Sequence, residues 1–235
     1  MTDTPSQNKV VLVFLGPPGS GKGTQAERLS KQYNLYHIDT GSCIRAEIAA
    51  NSELGQEATH YTSQGKLVPI DVVLNIIKSA MEKIDPDKTG FLFDGFPRNL
   101  EQAEGFDRIL GQLPFALNKV LYLSMDRRAL TDRLVYRVTC ADCGTKYNLR
   151  LNPPKTEGVC DVCGHSTFNR RDDDRPETVN TRLDEYEKET APLVGLFKTR
   201  GLLVEVEANR PITDIERELQ EIIEAVYSEN NVVLA

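Results

Sequence analysis

The sequence predicts an α/β fold in which helices flank a central parallel sheet. Short uninterrupted apolar runs recur along the chain, the first at Val10–Leu15, and segments with helical apolar spacing lie between them. Uninterrupted runs are typical of strands that are buried on both faces, as in parallel sheets. Alternation of such strands with helices indicates βαβ units with right-handed crossovers. The chain has 235 residues, of which 40% are hydrophobic and 27% charged, and this fits one α/β domain carrying an insertion.

The individual elements follow from this pattern. The predicted strands are Val10–Leu15, Tyr36–Ile38, Gly90–Asp94, Lys119–Met125 and Leu202–Val206. The predicted helices are Lys22–Tyr33, Asp71–Ile84, Leu100–Leu110, Arg127–Val138, Glu177–Arg200 and Thr213–Tyr227. From Cys140 to Asp174 the helical period is lost and Cys, Gly, Pro and Asp dominate, which predicts a small inserted module.

Charge and composition exclude several classes of protein. Lys and Arg number 28 against 35 Asp and Glu, which gives a net charge of −7. A general nucleic-acid or membrane-surface binder needs a basic face. No stretch approaches the ~20 apolar residues of a membrane span, and Met1–Asn8 is polar. The following run, Val10–Leu15, is too short for the apolar core of a signal peptide. We therefore expect a cytoplasmic protein with neither nucleic acid nor membrane as a partner.

A glycine-rich loop, GPPGSGKGT at residues 16–24, lies between the first strand and the first helix. Glycines allow successive backbone N–H groups to face phosphate oxygens, and the helix N-terminus adds partial positive charge. In such a loop Lys22 would reach the β- and γ-phosphates, and the Thr24 hydroxyl would lie near the metal. The strict pattern places Ser or Thr directly after the lysine, whereas Gly23 intervenes here. The alternative is a glycine-rich turn with a solvated lysine.

Asp94 ends the apolar strand Gly90–Asp94 and is followed at once by Gly95-Phe96-Pro97-Arg98. In phosphate-loop enzymes an acid at this place organises Mg²⁺ or its waters. Many strands end in Asp, so Asp94 alone is weak evidence for this role. The segment that follows it makes the assignment more specific.

The inserted module carries two pairs of cysteines, Cys140/Cys143 and Cys160/Cys163, at the spacing of a zinc ribbon. Four thiolates complete a tetrahedron around Zn²⁺ and leave no open position, so the metal would be structural. The alternatives are two disulfides, which a reducing compartment disfavours, and an iron–sulfur centre. We expect His165 to be a surface residue and the fifth cysteine, Cys43, to be a small apolar residue on a helix.

Several motifs, taken in order, resemble the adenylate kinase family in its bacterial long form with a zinc-binding lid. Besides the glycine-rich loop and the cysteines they are DTGSCIR at Asp39–Arg45, GKLVP at Gly65–Pro69, DGFPRNLEQ at Asp94–Gln102, Arg171-Asp172-Asp173-Asp174 and ETVNTR at Glu177–Arg182. The resemblance implies the fold of a P-loop nucleoside monophosphate kinase, with a sheet of about five strands. It also implies a small helical insertion that binds the nucleoside monophosphate (NMP) and a zinc-ribbon-like lid. The implied division is core at 1–38, 69–136 and 175–235, NMP-binding segment at 39–68, and lid at 137–174.

The resemblance further implies reversible, direct in-line transfer from Mg·ATP to AMP to give two ADP, in adenine nucleotide homeostasis and salvage, by a monomer. The residues implied to bind ATP are Gly19, Ser20, Gly21, Lys22, Gly23, Thr24, Arg133, Arg137, Lys146, Tyr147 and Arg210. Those implied to bind AMP are Thr40, Arg45, Lys66, Leu67, Val68, Gly95, Phe96, Pro97, Arg98, Gln102, Arg171 and Arg182. The implied catalytic residues are Lys22, Arg98, Arg133, Arg137, Arg171, Arg182 and Asp173, the last of which would position arginines. Mg²⁺ would be held through water near Asp94 and Thr24.

Arginine suits this chemistry independently of the resemblance. Phosphoryl transfer needs little acid–base help but does need positive charge around the transferring group, which planar guanidinium groups supply. Arg133 and Arg137 are four residues apart, so both are expected on one face of a helix.

Two departures and two other functions bear on this interpretation. Ser42 stands where the family usually has an acid, and Ala208 where many members have glycine. The other functions are a kinase of the same fold for UMP or CMP or with GTP as donor, and a zinc-ribbon module that binds nucleic acid. Thr40 and Gln102 favour AMP over the pyrimidine nucleotides, and the net charge of −7 disfavours nucleic acid.

Overall fold

The computed structural model describes residues 9–62, 68–170 and 174–232, and these residues have the expected α/β fold. Their main sheet is parallel and five-stranded, with the order β2-β3-β1-β4-β8. Its strands are β1 (Val10–Leu15), β2 (Leu35–Asp39), β3 (Gly90–Asp94), β4 (Leu117–Ser124) and β8 (Leu203–Glu207). The five predicted strands are confirmed, two of them to the residue.

Helices cover both faces of this sheet. They are α1 (Lys22–Gln32), α2 (Thr40–Ala49), α3 (Glu53–Thr62), α4 (Ile70–Glu82), α5 (Leu100–Gln112), α6 (Arg127–Val135), α7 (Pro176–Glu185), α8 (Pro192–Thr199) and α9 (Ile212–Glu229). No helix within the described ranges is long and apolar enough to cross a bilayer.

The uninterrupted apolar run of β1 is explained by a core on each side of the sheet. Val11, Val13 and Leu15 pack in one apolar cluster with side chains of α4, α5 and α8. The alternate residues of β1 pack in a second cluster with α1 and α9. Successive side chains of a strand point to opposite faces, so each residue of β1 needs to be apolar.

The predicted helix Arg127–Val138 is wrong beyond Val135. Arg137–Cys140 forms a strand, β5, which pairs with β6 (Lys146–Asn148) and β7 (Phe168–Asn169) in a three-stranded antiparallel sheet. Residues 137–140 alternate half-buried and buried, so that Val138 and Cys140 face the small core of the inserted module. This pairing overrides the helical spacing, because local propensity is weaker than tertiary packing. The expectation that Arg133 and Arg137 lie on one helix face is therefore wrong.

The predicted helix Glu177–Arg200 is interrupted. Between α7 and α8 a π-helical turn spans Tyr186–Thr190, and Ala191 N donates to Tyr186 O, five residues back, at 2.9 Å. Pro192 follows as the first residue of α8. Proline has no N–H and its ring clashes with the carbonyl four residues earlier, so a continuous helix through Pro192 is disfavoured.

Candidate functional site

The site lies at the carboxyl edge of the main sheet. Phe14 of β1 pairs with Asp94 of β3, which in turn pairs with Asp39 of β2. Asp94 and Asp39 are therefore neighbours at the ends of adjacent strands, beside the loop 16–24 that follows β1. Ligands of parallel α/β sheets bind at this edge.

The loop adopts a conformation that requires glycine. Gly16 and Gly21 have φ angles of +148° and +98°, which side-chain-bearing residues rarely adopt. A Cβ atom at Gly16 would also lie 2.6 Å from Leu123 O. Gly21 immediately precedes α1, so the loop delivers its backbone N–H groups at the positive end of a helix, a geometry that binds anions.

Lys22 lies across this loop. Its Nζ atom donates to Gly16 O at 2.7 Å and to Pro17 O at 2.8 Å. The ammonium group is thus held at the mouth of the loop by two carbonyl oxygens, which a phosphate oxygen can replace.

The pKa of Lys22 depends on its burial and on several charged neighbours. Burial lowers the pKa of Lys22 to about 8. Asp94 opposes the shift, whereas Arg98, Arg137 and Arg182 reinforce it. Positive charge from these three arginines therefore acts at Lys22, and such an accumulation of positive charge suits a polyanion.

Gly23 marks the point where the core meets the inserted module. A Cβ atom there would lie 3.1 Å from Asp94 Oδ2 and 4.0 Å from Lys146 Nζ. The glycine between Lys22 and Thr24 therefore lets the Asp94 carboxylate approach the first turn of α1. Lys146 Nζ also lies 3.5 Å from Glu27 Oε2 of α1, so the module contacts α1 beside the loop.

Asp174 joins two of the arginines, and sequence reasoning missed it. Its carboxylate is wholly buried and accepts hydrogen bonds of 2.7 Å from Arg137 Nε, Arg137 Nη2 and Arg182 Nη1. The resemblance instead implies its neighbour Asp173 as the positioning acid, and Arg171 as a further arginine. Asp173 and Arg171 lie outside the described residues.

Arg133 occupies a separate place beside the loop. Its Nη2 atom donates to Ala208 O at 3.1 Å, and its Nη1 atom lies 3.9 Å from where a Cβ atom of Gly21 would be. Burial lowers the pKa of Arg133. Arg210, two residues beyond Ala208, instead turns toward α9 and pairs with Glu218.

Tyr147 lies inside the module. Its side chain is buried, packs edge-on against Phe168, and its hydroxyl accepts a hydrogen bond from Asp161 N at 2.8 Å. The neighbouring Lys146 is the residue that reaches the core.

On the other side of the loop, Thr40 begins α2. Its side chain is buried, and Oγ1 has no hydrogen-bond partner among residues 9–62, 68–170 and 174–232. A buried hydroxyl without a partner is costly, so Thr40 is poised to meet a ligand.

The segment after β3 is held in a fixed turn. Arg98 Nε donates to Gly95 O at 2.9 Å, and Arg98 N donates to Gln102 Oε1 at 2.7 Å. Phe96 and Pro97, joined by a cis peptide bond, are buried beneath the exposed Arg98. Val68 is half-buried against the apolar core, whereas Lys66 and Leu67 lie outside the described residues.

The four cysteines of the module converge as predicted. The Sγ atoms of Cys140, Cys143, Cys160 and Cys163 lie within 4.8 Å of one another, and all four are free thiols. Cys140 and Cys163 are 3.5 Å apart, as are Cys143 and Cys160. Disulfide-bonded sulfurs lie about 2 Å apart, whereas these separations suit one tetrahedral ion with metal–sulfur distances of about 2.3 Å.

The other two residues assigned from the sequence behave as expected. His165 is more than half exposed and lies 3.1 Å from Asp142 Oδ2 through Nδ1. Cys43 is half-buried on α2 and packs against apolar clusters on both sides.

Comparison with known proteins agrees with this geometry. The family model for adenylate kinase matches residues 14–202. The chain belongs to the adenylate kinase family. An adenylate kinase of Archaeoglobus fulgidus is 40% identical over 92% of this chain and 99% of its own length. The adenylate kinase of Thermodesulfovibrio yellowstonii is 43% identical over 91% and 98%, and that of Caldicellulosiruptor bescii is 42% identical over 88% and 96%.

Membership of the adenylate kinase family confirms the predicted fold class and enzyme class. The chain is a nucleoside monophosphate kinase that transfers a phosphoryl group between ATP and AMP and so serves nucleotide homeostasis.

Proposed function

We propose that transfer takes place directly between the two bound nucleotides, at the cation cluster formed by Lys22, Arg98, Arg137 and Arg182. In the forward reaction an AMP phosphate oxygen bonds to the γ-phosphorus of ATP while the bond to the ADP oxygen breaks. The arrangement that carries the proposal is Lys22 on the phosphate loop, together with Arg137 and Arg182, which one buried acid, Asp174, holds side by side. Positive charge around the transferring group is the main requirement of phosphoryl transfer.

ATP is held on the loop side of this cluster. Its phosphates bind to Gly19–Thr24. The ammonium group of Lys22 then exchanges its hydrogen bonds to Gly16 O and Pro17 O for hydrogen bonds to phosphate oxygens. Arg133 and Arg137 face the phosphates, while Lys146, Arg210 and the backbone at Tyr147 and near Ala208 line the side for the adenine and ribose. The support for Arg133 is its half-buried position between Gly21 and Ala208.

AMP is held on the opposite side. Its binding residues are Thr40, Arg45, Lys66, Leu67, Val68, Gly95, Phe96, Pro97, Arg98, Gln102, Arg171 and Arg182. The buried hydroxyl of Thr40, for which no described residue supplies a hydrogen-bond partner, supports this assignment. Gln102 Oε1 accepts from Arg98 N, which leaves the amide N–H₂ group of Gln102 to donate to the nucleotide.

Asp94 fits a magnesium ion that stays largely hydrated. Its carboxylate lies against the first turn of α1, next to the residue that precedes Thr24, and Mg²⁺ binds through one or two carboxylates together with waters and substrate phosphates. When bound, Mg²⁺ neutralises phosphate charge. The chain's own contribution is to hold Asp94 beside the loop.

The four-cysteine cluster fits a structural zinc ion. Its apolar core consists of little more than Val138, Cys140, Tyr147 and Cys160, which is too small to stabilise a fold by burial alone. The Tyr147 hydroxyl lies 3.5 Å from Cys160 Sγ and lowers the pKa of that thiol, which favours the thiolate that zinc requires. Four cysteine ligands leave no open position for catalysis.

The chain then has three working parts. Segment 39–68 closes over AMP, segment 137–174 closes over ATP, and the core at 1–38, 69–136 and 175–235 holds both. The contact between Lys146 and Glu27 supports a closing role for 137–174. Closure excludes water, which would otherwise compete with AMP as acceptor. We further propose that the enzyme works as a monomer in the cytoplasm on free nucleotides, as its net charge of −7 supports.

The test is a coupled assay of ADP formation with ATP as donor and AMP, CMP, UMP or GMP as acceptor. AMP should be the preferred acceptor. Thr40→Ala should raise KM for AMP about three- to tenfold, the effect of one lost hydrogen bond, and leave KM for ATP unchanged. Thr199→Ala is the matched control, because the Thr199 hydroxyl bonds within its own helix to Gly195 O. Equal turnover of CMP and AMP would contradict the proposed acceptor.

A further inference from the structure

Three side chains at the start of α2 form a chain of hydrogen bonds. Arg45 Nη2 donates to Ser42 Oγ at 2.7 Å, and Ser42 Oγ donates to Asp39 Oδ2 at 2.5 Å. A guanidinium group can only donate and a carboxylate can only accept. The hydroxyl of Ser42 therefore accepts a hydrogen bond from the arginine and donates its own hydrogen bond to the acid.

The acid end of this chain is anchored to the sheet. Asp39 is the last residue of β2, next to Asp94 of β3. Its other oxygen, Oδ1, accepts from Gly41 N at 3.2 Å and so caps α2. The position of the carboxylate is thus set by a strand and by a helix N-terminus together.

The guanidinium group of Arg45 is restrained at the start of α2 but remains exposed. Arg45 Nη1 lies 3.1 Å from where a Cβ atom of Gly41 would be, so the guanidinium folds back over the first turn of α2. The Nη2 atom lies 3.6 Å from Asp39 Oδ2, while the side chain of Arg45 remains 70% exposed. The contacts above engage Nη2, so the rest of the guanidinium can meet an incoming phosphate.

A restraint of this kind has a physical consequence for binding. A free arginine side chain samples many rotamers, and ordering it on binding reduces affinity. A side chain that already occupies its binding position avoids part of that cost.

We infer that Ser42 and Asp39 are positioning residues that orient the Arg45 guanidinium toward the phosphate of the acceptor nucleotide. The inference rests on the proposed placement of Arg45 in the AMP site.

Asp39 both caps α2 and restrains Arg45 through Ser42, so the variants must distinguish these two roles. Replacing Asp39 with Ala would remove both, whereas Asp39→Asn keeps a good N-cap and removes the charge. An asparagine could no longer offer Ser42 a carboxylate oxygen. Ser42→Ala removes the link and leaves the cap on Gly41 N in place.

The test is steady-state kinetics with AMP and ATP varied separately. Ser42→Ala and Asp39→Asn should each raise KM for AMP about three- to tenfold, the effect of one lost hydrogen bond of ordinary strength, because the arginine itself remains. KM for ATP should not change, and Ser42→Thr should restore the wild-type value. A general loosening of the protein would instead alter both KM values and kcat.

A double-mutant cycle with Arg45→Ala decides whether the effect passes through the arginine. In the Arg45→Ala background, Ser42→Ala should change KM for AMP by less than about twofold, because the two residues act as one unit. Independent, multiplied effects would overturn the positioning role.

Ser52→Ala controls for loosening of the same segment. The Ser52 hydroxyl accepts from Gly55 N at the start of α3 and also bonds to Glu47, so its loss weakens the segment away from Arg45. An equal rise in KM for AMP in Ser52→Ala would overturn the inference.

KM for AMP in Arg45→Ala distinguishes a failure of the positioning role from a failure of the proposed acceptor site. An unchanged KM for AMP in Arg45→Ala would show that Arg45 is not in the acceptor site, and both would fall. A raised KM in Arg45→Ala, with Ser42→Ala and Asp39→Asn unchanged, would overturn the positioning role alone.

Discussion

The Asp174 carboxylate accepts hydrogen bonds from both Nε and Nη2 of Arg137, each at 2.7 Å. Arg137 begins the first strand of the inserted module, and Asp174 lies at the point where the chain returns to the core. One of the two oxygens also accepts from Arg182. A single buried acid therefore closes the base of the module and fixes two of the cations around the phosphate loop.

Removing the charge of Asp174 should destabilise the protein. In Asp174→Asn two arginines lose their common counter-charge while they remain partly buried, and breaking a buried pair in this way costs about 3 kcal/mol. Urea denaturation should show that loss in the free energy of unfolding. Asp184→Asn is the control, since Asp184 pairs with Arg127 at the surface with 68% of its side chain exposed, and it should cost less than about 1 kcal/mol. Equal losses in the two variants would contradict the role of Asp174.

Nucleotide binding should weaken above about pH 8. The free protein holds the pKa of Lys22 at about 8, below the usual 10.5, so the ammonium group begins to lose its proton there. A bound phosphate favours the charged form, so binding must take up a proton above pH 8. The Kd for ATP should then rise by up to about tenfold per pH unit above pH 8, as titration calorimetry in buffers of different ionisation enthalpy can measure.

Variants of Lys22 separate this effect from other titrations. Lys22→Met should bind ATP weakly at every pH, and its Kd for ATP should not rise above pH 8, because the titrating ammonium group is gone. Its turnover should be almost abolished. Lys22→Arg keeps a charge at all accessible pH values, so its Kd should be flat from pH 8 to 10. A wild-type pH profile in Lys22→Arg would show that another group titrates. In the wild type the folding stability should rise between pH 8 and 10.5, because the unfolded chain binds the proton more strongly.

Metal removal should loosen the module and lower the melting temperature. Zinc should be present at about one per chain, as four cysteines imply, and Cys143→Ser should release it. A loss of ~2 kcal/mol moves the Tm of a domain of this size by about 4–8 °C. Cys43→Ser provides the control, because Cys43 lies on α2 away from the cluster. Zinc-free protein that melts at the same temperature as the zinc-loaded form would contradict a structural metal.

Arg98→Ala should weaken AMP binding and spare ATP. Arg98 lies in the fixed turn after β3, on the proposed acceptor side, and its loss should raise KM for AMP about tenfold or more, as for a hydrogen bond to a charged group. KM for ATP should stay within about twofold, since Arg98 makes no proposed contact with the loop. Arg108→Ala, on the exposed face of α5, is the control. Equal increases in both KM values would contradict the division of the site.

The parts of the fold that could be predicted are those decided by local pattern. Val10–Leu15 and Gly90–Asp94 were predicted to the residue because both faces of these strands are buried. The four cysteines were placed together because their spacing alone limits where a metal could lie. Two helices were predicted too long, at Arg137 and at Tyr186, because strand pairing in one case and Pro192 in the other outweigh helical spacing.

The amino-acid sequence alone determined the phosphate loop, the strand edge that presents Asp94 and the cysteine cluster. Each depends on residues that are adjacent or regularly spaced along the chain. Only the tertiary structure decided that Asp174 is buried against Arg137, and that Ser42 connects Arg45 to Asp39. Such choices depend on which side chain points inward once distant segments pack. Local residue preference is nearly the same for each candidate, whereas the free energy of burying a charge differs greatly with its partners.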